Sequence, residues 1–177
     1  ERGTAKLRDQ LKNLGANTLR NQGPDGGNSY HSGRLAIACL ALIKGGVPLD
    51  DEVLKKALDE LRQRPLIGNA IMAIEALYIP HTEVMSLRDG TIDRPAPRTP
   101  SAADKELLQR WTDRLLTNID TRVDPAYLLR FNYTGGPRFD NSVNQYGLLG
   151  MYAARLCQLE VPTGLWRAAA ASLLEMQ

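Results

Sequence analysis

One ten-residue pattern occurs three times in this chain, and it limits the possible folds more than any other feature. Each copy begins with glycine, ends with leucine and is apolar on almost every side of a helix. The copies are GRLAIACLAL (33–42), GNAIMAIEAL (68–77) and GLLGMYAARL (147–156). A helix that is apolar all round is buried on more than one face. We therefore interpret the three copies as the inner helices of a repeated unit.

Four further segments are amphipathic, with apolar residues spaced three and four apart along one helix face. They are residues 5–14, 48–64, 101–118 and 163–176. Ser101 is placed to cap the third of these, and Asp50 and Asp51 lie where a helix dipole favours acids. Amphipathic and apolar segments alternate along the chain, as two concentric layers of helices require. The sequence therefore predicts an all-α fold, a partial α/α ring of about seven helices with the apolar set inside.

Residues 79–100 break this alternation. Their prolines, at positions 80, 95, 97 and 100, together with Gly90 predict an exposed, inserted Pro-rich loop. The rest of the chain is interpreted as one α/α-toroid repeat domain that spans residues 1–177. Seven helices make about half of a closed ring, so we expect this domain to be part of a larger protein or to pair with another chain.

Composition and charge exclude several classes of protein. Lys and Arg total 22 against 20 for Asp and Glu, and the net charge of +2 argues against a nucleic-acid-binding chain with a strong basic field. The longest apolar run, residues 35–43, is about half of what a membrane span requires. Cys39 and Cys157 both lie in apolar helical stretches, which indicates core packing and not a disulfide framework.

Two turns carry a resemblance to a known repeat. QGPDGGN (22–28) resembles the Gln-x-x-Asp-Gly-x-Trp turn of the prenyltransferase and squalene-cyclase repeat, with Asn28 in place of the tryptophan. FNYTGGPRFDNS (131–142), continuing into DNSVNQYGLLGMYAA (140–154), is similar to the Gly-rich, Asp-Asn-Ser and Gln-Tyr stretch of bacterial members of that superfamily. The resemblance implies an α/α toroid. It also implies a bacterial protein of the cell envelope or one that is exported, because many relatives of this type are.

The motifs that give this superfamily its reactions do not occur in the sequence. The Asp-x-Asp-Asp acid of squalene-type cyclases has no counterpart, and neither cysteine has an aspartate two residues away, as a prenyltransferase zinc site requires. The thioester motif Gly-Cys-Gly-Glu-Gln of toroidal complement domains is also missing. We therefore assign no catalytic residue, no metal ligand and no cofactor.

Eight polar or aromatic residues near the starts of the first and third apolar helices are candidates for lining a pocket. They are Tyr30, His31, Tyr133, Asp140, Asn141, Asn144, Gln145 and Tyr146. His31 fits either a general base or a hydrogen-bonded structural histidine. Asn141 fits a helix cap, whereas Asn144 and Gln145, one turn later, could project toward a pocket mouth. The alternative is that all eight residues only build the repeat.

These observations favour a non-catalytic binding or scaffolding domain of the prenyltransferase/squalene-cyclase repeat type. One alternative is an enzyme acting on an isoprenoid or another apolar substrate in the toroid cavity, with Asp140 and either Tyr133 or His31 as acid and base. Another is an α/α-barrel carbohydrate enzyme with paired carboxylates, although the apolar helices supply only Glu75. The expected partners are a second copy of the chain or the remainder of its parent protein, and an apolar small molecule is the expected ligand class.

Overall fold

A computed structural model of the chain describes residues 2–18, 28–63, 68–80, 82–120, 122, 124, 128–132 and 141–175. The helices in these residues are α1 (Arg2–Thr18), α2 (Asn28–Lys44), α3 (Glu52–Arg62), α4 (Asn69–Glu75), α5 (Glu83–Arg88), α6 (Ala102–Leu116), α7 (Asn141–Leu156) and α8 (Gly164–Glu175). A 3-10 turn, Ala76–Tyr78, continues α4. The described residues contain no strand, only an isolated bridge between Ile119 and Phe131. The predicted all-α class is confirmed, and α5 is a helix that the sequence did not predict.

Local signals fix several helix ends. The carboxylate of Asp51 accepts hydrogen bonds from the backbone N–H groups of Val53 (3.0 Å) and Leu54 (3.1 Å), so it caps α3. The hydroxyl of Ser101 accepts one from the N–H of Asp104 (3.2 Å) and caps α6, as predicted. These caps satisfy donors that have no partner inside the helix.

Three apolar helices form a central row, which consists of α2, α4 and α7. Helix α4 packs between α2 and α7, while α1 and α3 pack on α2 and α6 packs on both α4 and α7. Because α4 has a neighbour on each side, most of its residues are buried; those buried are Ala70, Ile71, Ala73, Ile74 and Glu75. The amphipathic helix α3 buries one stripe, which comprises Leu54, Ala57, Leu58 and Leu61.

Glycines set the close approach of α4 and α7. A Cβ atom added at Gly150 would lie 2.9 Å from the Cα atom of Gly68 and 3.1 Å from a methyl carbon of Leu115. Gly68 itself has φ of 54°, a left-handed conformation that side chains with a Cβ rarely adopt. The start of α4 and the middle of α7 therefore approach each other closely at Gly68 and Gly150.

The two cysteines lie in the core as free thiols, as predicted. Burial raises the pKa of both Cys39 and Cys157 to about 12. In the part of the chain that the structure describes, no helix is both long enough and apolar enough to cross a membrane.

Residues 79–100, which we call the strap, differ from the predicted exposed loop in two respects. They contain helix α5, and they bury two charged side chains, Glu83 and Arg98, which are 5% and 3% exposed. His81 lies outside the described residues. Much of the rest of the strap faces solvent, including Val84 and Met85, each 58% exposed.

Candidate functional site

Four of the eight predicted pocket residues lie on the first two turns of α7, and the structure separates them. Asn144 is buried, and its Oδ1 accepts a hydrogen bond from the backbone N–H of Phe131 (3.2 Å). Its Nδ2 is buried without a hydrogen-bond partner. Asn141, Gln145 and Tyr146 are exposed. Asn144 therefore helps to hold the segment before α7, and it does not point a polar group into solvent.

The other four predicted residues cannot be placed in the same way. The backbone of Tyr30 and His31 forms part of the first turns of α2, but their side chains lie outside the described part of the chain. Tyr133 and Asp140 lie entirely outside it. A Cβ atom added at Gly33 would lie 3.9 Å from Asn69 Nδ2, so the second turn of α2 and the first turn of α4 are neighbours.

The two outer members of the central row each expose large apolar side chains. Helix α7 exposes Tyr146 (45%), Leu149 (38%) and Tyr152 (44%), which we call the α7 stripe, and α2 exposes Ile37 (45%). Residues three apart lie on one side of a helix, so the α7 stripe is continuous. The middle helix, α4, exposes no large apolar residue.

The α7 stripe corrects the prediction that the apolar helices are buried on more than one face. Tyr146 was named from the sequence as a candidate pocket residue, whereas Leu149 and Tyr152 lie in the segment 147–156, which was predicted to be an inner helix. The reason is position in the row, since α2 and α7 each pack against only one other member and α4 packs against two. Tyr and Leu residues at helical spacing give the same sequence pattern whether that side of the helix is buried or exposed.

A buried ion cluster lies at the C-terminal end of α4, where Glu75 is the last residue of the helix. The guanidinium of Arg98 donates to Glu75 Oε1 (2.5 Å) and, through two nitrogens, to both carboxylate oxygens of Glu83, at 2.7 Å for Oε1. These hydrogen bonds hold the pKa of Glu83 below its usual value. Burial disfavours the charge of Arg98, but the two carboxylates outweigh it and raise the pKa of Arg98.

A second ion cluster connects α3 to α6. Arg62 donates to Asp104 from Nε (2.9 Å) and Nη2 (3.1 Å), and the hydroxyl of Tyr78 donates to Asp104 Oδ2 (2.6 Å). Burial of Asp104 opposes its ionisation, but the hydrogen bonds from Arg62 and Tyr78 outweigh burial and lower its pKa. Such bidentate arginine–carboxylate pairs are among the strong hydrogen bonds of proteins.

The chemistry that these clusters allow is limited. The buried carboxylates of the described residues each accept a hydrogen bond from an arginine; they are Glu75, Glu83, Asp104 and Asp120. Glu75, the acid available to a carbohydrate enzyme, is therefore engaged as an ion-pair partner. No group of three or more His, Cys, Asp or Glu side chains in the described ranges could hold a metal ion.

Sequence reasoning missed Arg98, Glu83 and the pairing of Arg62 with Asp104. Arg98 stands in a segment without periodicity, one residue after Pro97, which gives no sign of burial. For Asp104 there is a weak signal, because an acid three residues after a capping serine stands in the first helical turn. Its partner Arg62 lies 42 residues away and has no signal of its own.

Known proteins offer no assignment for this site. No protein-family model matches the chain, and neither the curated proteins nor the solved structures include a match. The resemblance of its turns to the prenyltransferase and squalene-cyclase repeat remains a prediction from the sequence.

Proposed function

We propose that this chain is a non-catalytic binding or scaffolding domain of the prenyltransferase/squalene-cyclase repeat type. Its central row would be part of an α/α toroid, and the α7 stripe would be the surface on which the next helical unit packs. The alternation of amphipathic and apolar helices and the resemblance of two turns support the repeat type.

The observation that carries this proposal is the contrast between the middle and the ends of the central row. Helix α4 exposes no large apolar residue, whereas α7 exposes three, and α2 exposes Ile37 among residues 33–44, whose side chains the structure describes. Repeat units bury their apolar faces against neighbouring units, so units at the end of a row need a further neighbour or a polar cap. Each α7 stripe residue would gain on the order of 1 kcal/mol from burial of its exposed part.

The occupant that we propose is a second copy of this chain. The contact between α4 and α7 is an example, within one chain, of two helices from the repeated pattern packing side by side. In an assembly, α7 of one copy would lie beside α2 of the other, where Ile37 is exposed. The row of three helices would then continue into a ring with six inner helices.

The experiment is native mass spectrometry of the purified chain, repeated for Leu149→Glu and for a matched control. Leu174→Glu is that control, because Leu174 is 71% exposed but belongs to α8, outside the central row. We expect the unchanged chain and Leu174→Glu to assemble, and Leu149→Glu to dissociate to monomers. A charge buried in an apolar contact without a partner strongly disfavours association.

Three results would count against this function. An unchanged chain that stays monomeric at every concentration at which native spectra are recorded would exclude self-assembly through the α7 stripe. A retained lipid-sized molecule on a monomer would favour the enzyme with an apolar substrate instead. Equal effects of Leu149→Glu and Leu174→Glu would show that the α7 stripe has no special role.

A further inference from the structure

The strap is attached to the end of the central row mainly through one residue, Arg98. Its backbone N–H donates to the carbonyl oxygen of Leu156 at the end of α7 (2.7 Å). Its own carbonyl oxygen accepts from Gln158 Nε2 (2.8 Å). Its guanidinium reaches Glu75 at the end of α4 and Glu83 on the strap itself. A single residue thus connects the strap to two helices of the central row.

The ion cluster around Arg98 depends on all its members. Its one guanidinium and two carboxylates are all buried, since Arg98 is 3%, Glu83 5% and Glu75 7% exposed. Charged groups leave water at a large cost, which is offset only while each has its partner. Removing Arg98 would leave two buried carboxylates without a cation. The strap would then lose the ion pairs that hold it against the central row.

Outside this cluster, most of the strap is exposed and makes few buried contacts. Val84 and Met85 face solvent, and the ion pair of Asp93 with Arg94 is at 4.0 Å between side chains that are 92% and 88% exposed. Segments with few buried apolar contacts open at lower free energy than the core that they cover. The helices of the central row, in contrast, belong to one continuous apolar core.

We propose that the strap is a latch that opens separately from the helical core, that Arg98 holds it closed, and that its opening uncovers Cys157. Cys157 lies between Leu156 and Gln158, the two residues that bond to the backbone of Arg98. The charges of Glu75 and Arg98 both act on its thiol. The latch controls access to the end of the central row that holds Glu75 and the last turn of α7.

The two cysteines make the proposal measurable. Cys39 and Cys157 are both fully buried, and burial raises the pKa of each thiol to about 12. Their reactivity toward a thiol reagent is therefore low and similar while both are covered. Both thiols belong to the apolar core, but Cys39 lies in the middle of α2, whereas Cys157 directly follows α7, between the two residues that bond to Arg98. Labelling of Cys39 therefore reports opening of the core, and labelling of Cys157 that is faster than that of Cys39 reports opening of the strap.

The experiment measures the rate of labelling of each thiol by a maleimide under native conditions, in Cys39→Ala and Cys157→Ala backgrounds. The test variant is Arg98→Met, and the matched control is Arg94→Met, an arginine of the same strap whose side chain is 88% exposed. We expect Arg98→Met to accelerate labelling of Cys157 on the order of a hundredfold, the ratio expected from removing one partner of a buried ion pair. The rate for Cys39 should not change, and Arg94→Met should change neither rate.

Two results would overturn the latch. Equal acceleration of Cys39 and Cys157 in Arg98→Met would show that the strap and the core open together. Unchanged labelling of Cys157 would show that Arg98 does not hold the strap closed. If Arg98→Met does not fold, as judged by circular dichroism, Glu83→Gln takes its place, since it removes one charge of the cluster and keeps the side-chain volume. The same two results then decide.

Discussion

Gly147→Ala is expected to destabilise this protein, although alanine is the better helix former. Gly147 lies within α7, directly against the ring of Phe131, which is 1% exposed. A Cβ atom added at Gly147 would lie 2.3, 2.5 and 2.7 Å from three carbon atoms of that ring. Carbon atoms normally approach to about 3.5–4.0 Å, so the ring would have to move by about an ångström inside a filled core.

The expected change in the free energy of unfolding for Gly147→Ala is the difference between two opposing effects. Alanine in place of glycine in a helix interior contributes about 1 kcal/mol of stability. Overpacking of a filled core costs about 1–3 kcal/mol, and so severe a clash belongs at the upper end of that range. We expect a net loss of about 2 kcal/mol in the free energy of unfolding. For a chain of this length, that loss corresponds to a fall in Tm of about 4–8 °C.

The matched control is Gly33→Ala, at the glycine that aligns with Gly147 in the repeated pattern. Among the described residues, its added Cβ atom would meet only Asn69 Nδ2, at an ordinary contact distance of 3.9 Å. Gly33→Ala should therefore raise the free energy of unfolding by about 1 kcal/mol. Both variants are compared with the unchanged chain by urea unfolding, followed by far-UV circular dichroism.

A second substitution tests the clash between Gly147→Ala and the ring of Phe131. Phe131→Leu should cost less stability in the Gly147→Ala background than in the unchanged chain, because a smaller side chain relieves the clash. The account is refuted if Gly147→Ala is as stable as the unchanged chain. It is also refuted if Gly33→Ala and Gly147→Ala lower stability equally, since the contact with Phe131 would then explain nothing.

Three further effects are expected. Ser101→Ala should lower the free energy of unfolding by about 1 kcal/mol in urea unfolding, because it removes the cap of α6, and no loss would exclude that role. Asp104→Asn should cost about 2 kcal/mol, because it weakens the hydrogen bonds from Arg62 and Tyr78 at a buried site, and a cost no larger than that of Asp113→Asn on the exposed side of α6 would contradict this. The pKa of Asp104 is lowered in the folded state, so its contribution is fully present above about pH 4, the ordinary range of an aspartate, and is lost as the pH falls through the lowered value. Urea midpoints of the unchanged chain should therefore fall with acid more steeply than those of Asp104→Asn.

Much of the secondary structure could be predicted because its signals are local. The spacing of apolar residues located α3 and α6, and the repeated pattern located α2, α4 and α7. Ser101 was identified as a cap from its position just before an amphipathic segment. Each of these inferences needs only residues within a few turns of one another, and the physical forces involved act over the same range.

The candidate site could be predicted only in part. The sequence picked out the polar residues at the start of α7 but did not distinguish the buried Asn144 from the exposed Gln145. It predicted an inner helix over residues 147–156 and did not distinguish the exposed Leu149 and Tyr152 from the buried residues of that helix. It gave no sign that Arg98 is buried, since the residues that bury it come from α4, α5 and the end of α7.

The three aligned glycines show what the sequence by itself determined and what only the tertiary structure decided. The sequence places Gly33, Gly68 and Gly147 at the same position of one helical pattern, yet Gly68 directly precedes α4, whereas Gly33 and Gly147 lie in the second turns of α2 and α7. The structure gives them different roles, because Gly33 has room for a side chain, Gly68 adopts a positive φ, and Gly147 receives the ring of Phe131. The spacing of apolar residues and the helix propensity of a segment depend on residues that are neighbours in the chain, so the sequence determines where the helices form. Contact and burial depend on which distant segments meet, and only the folded chain decides that.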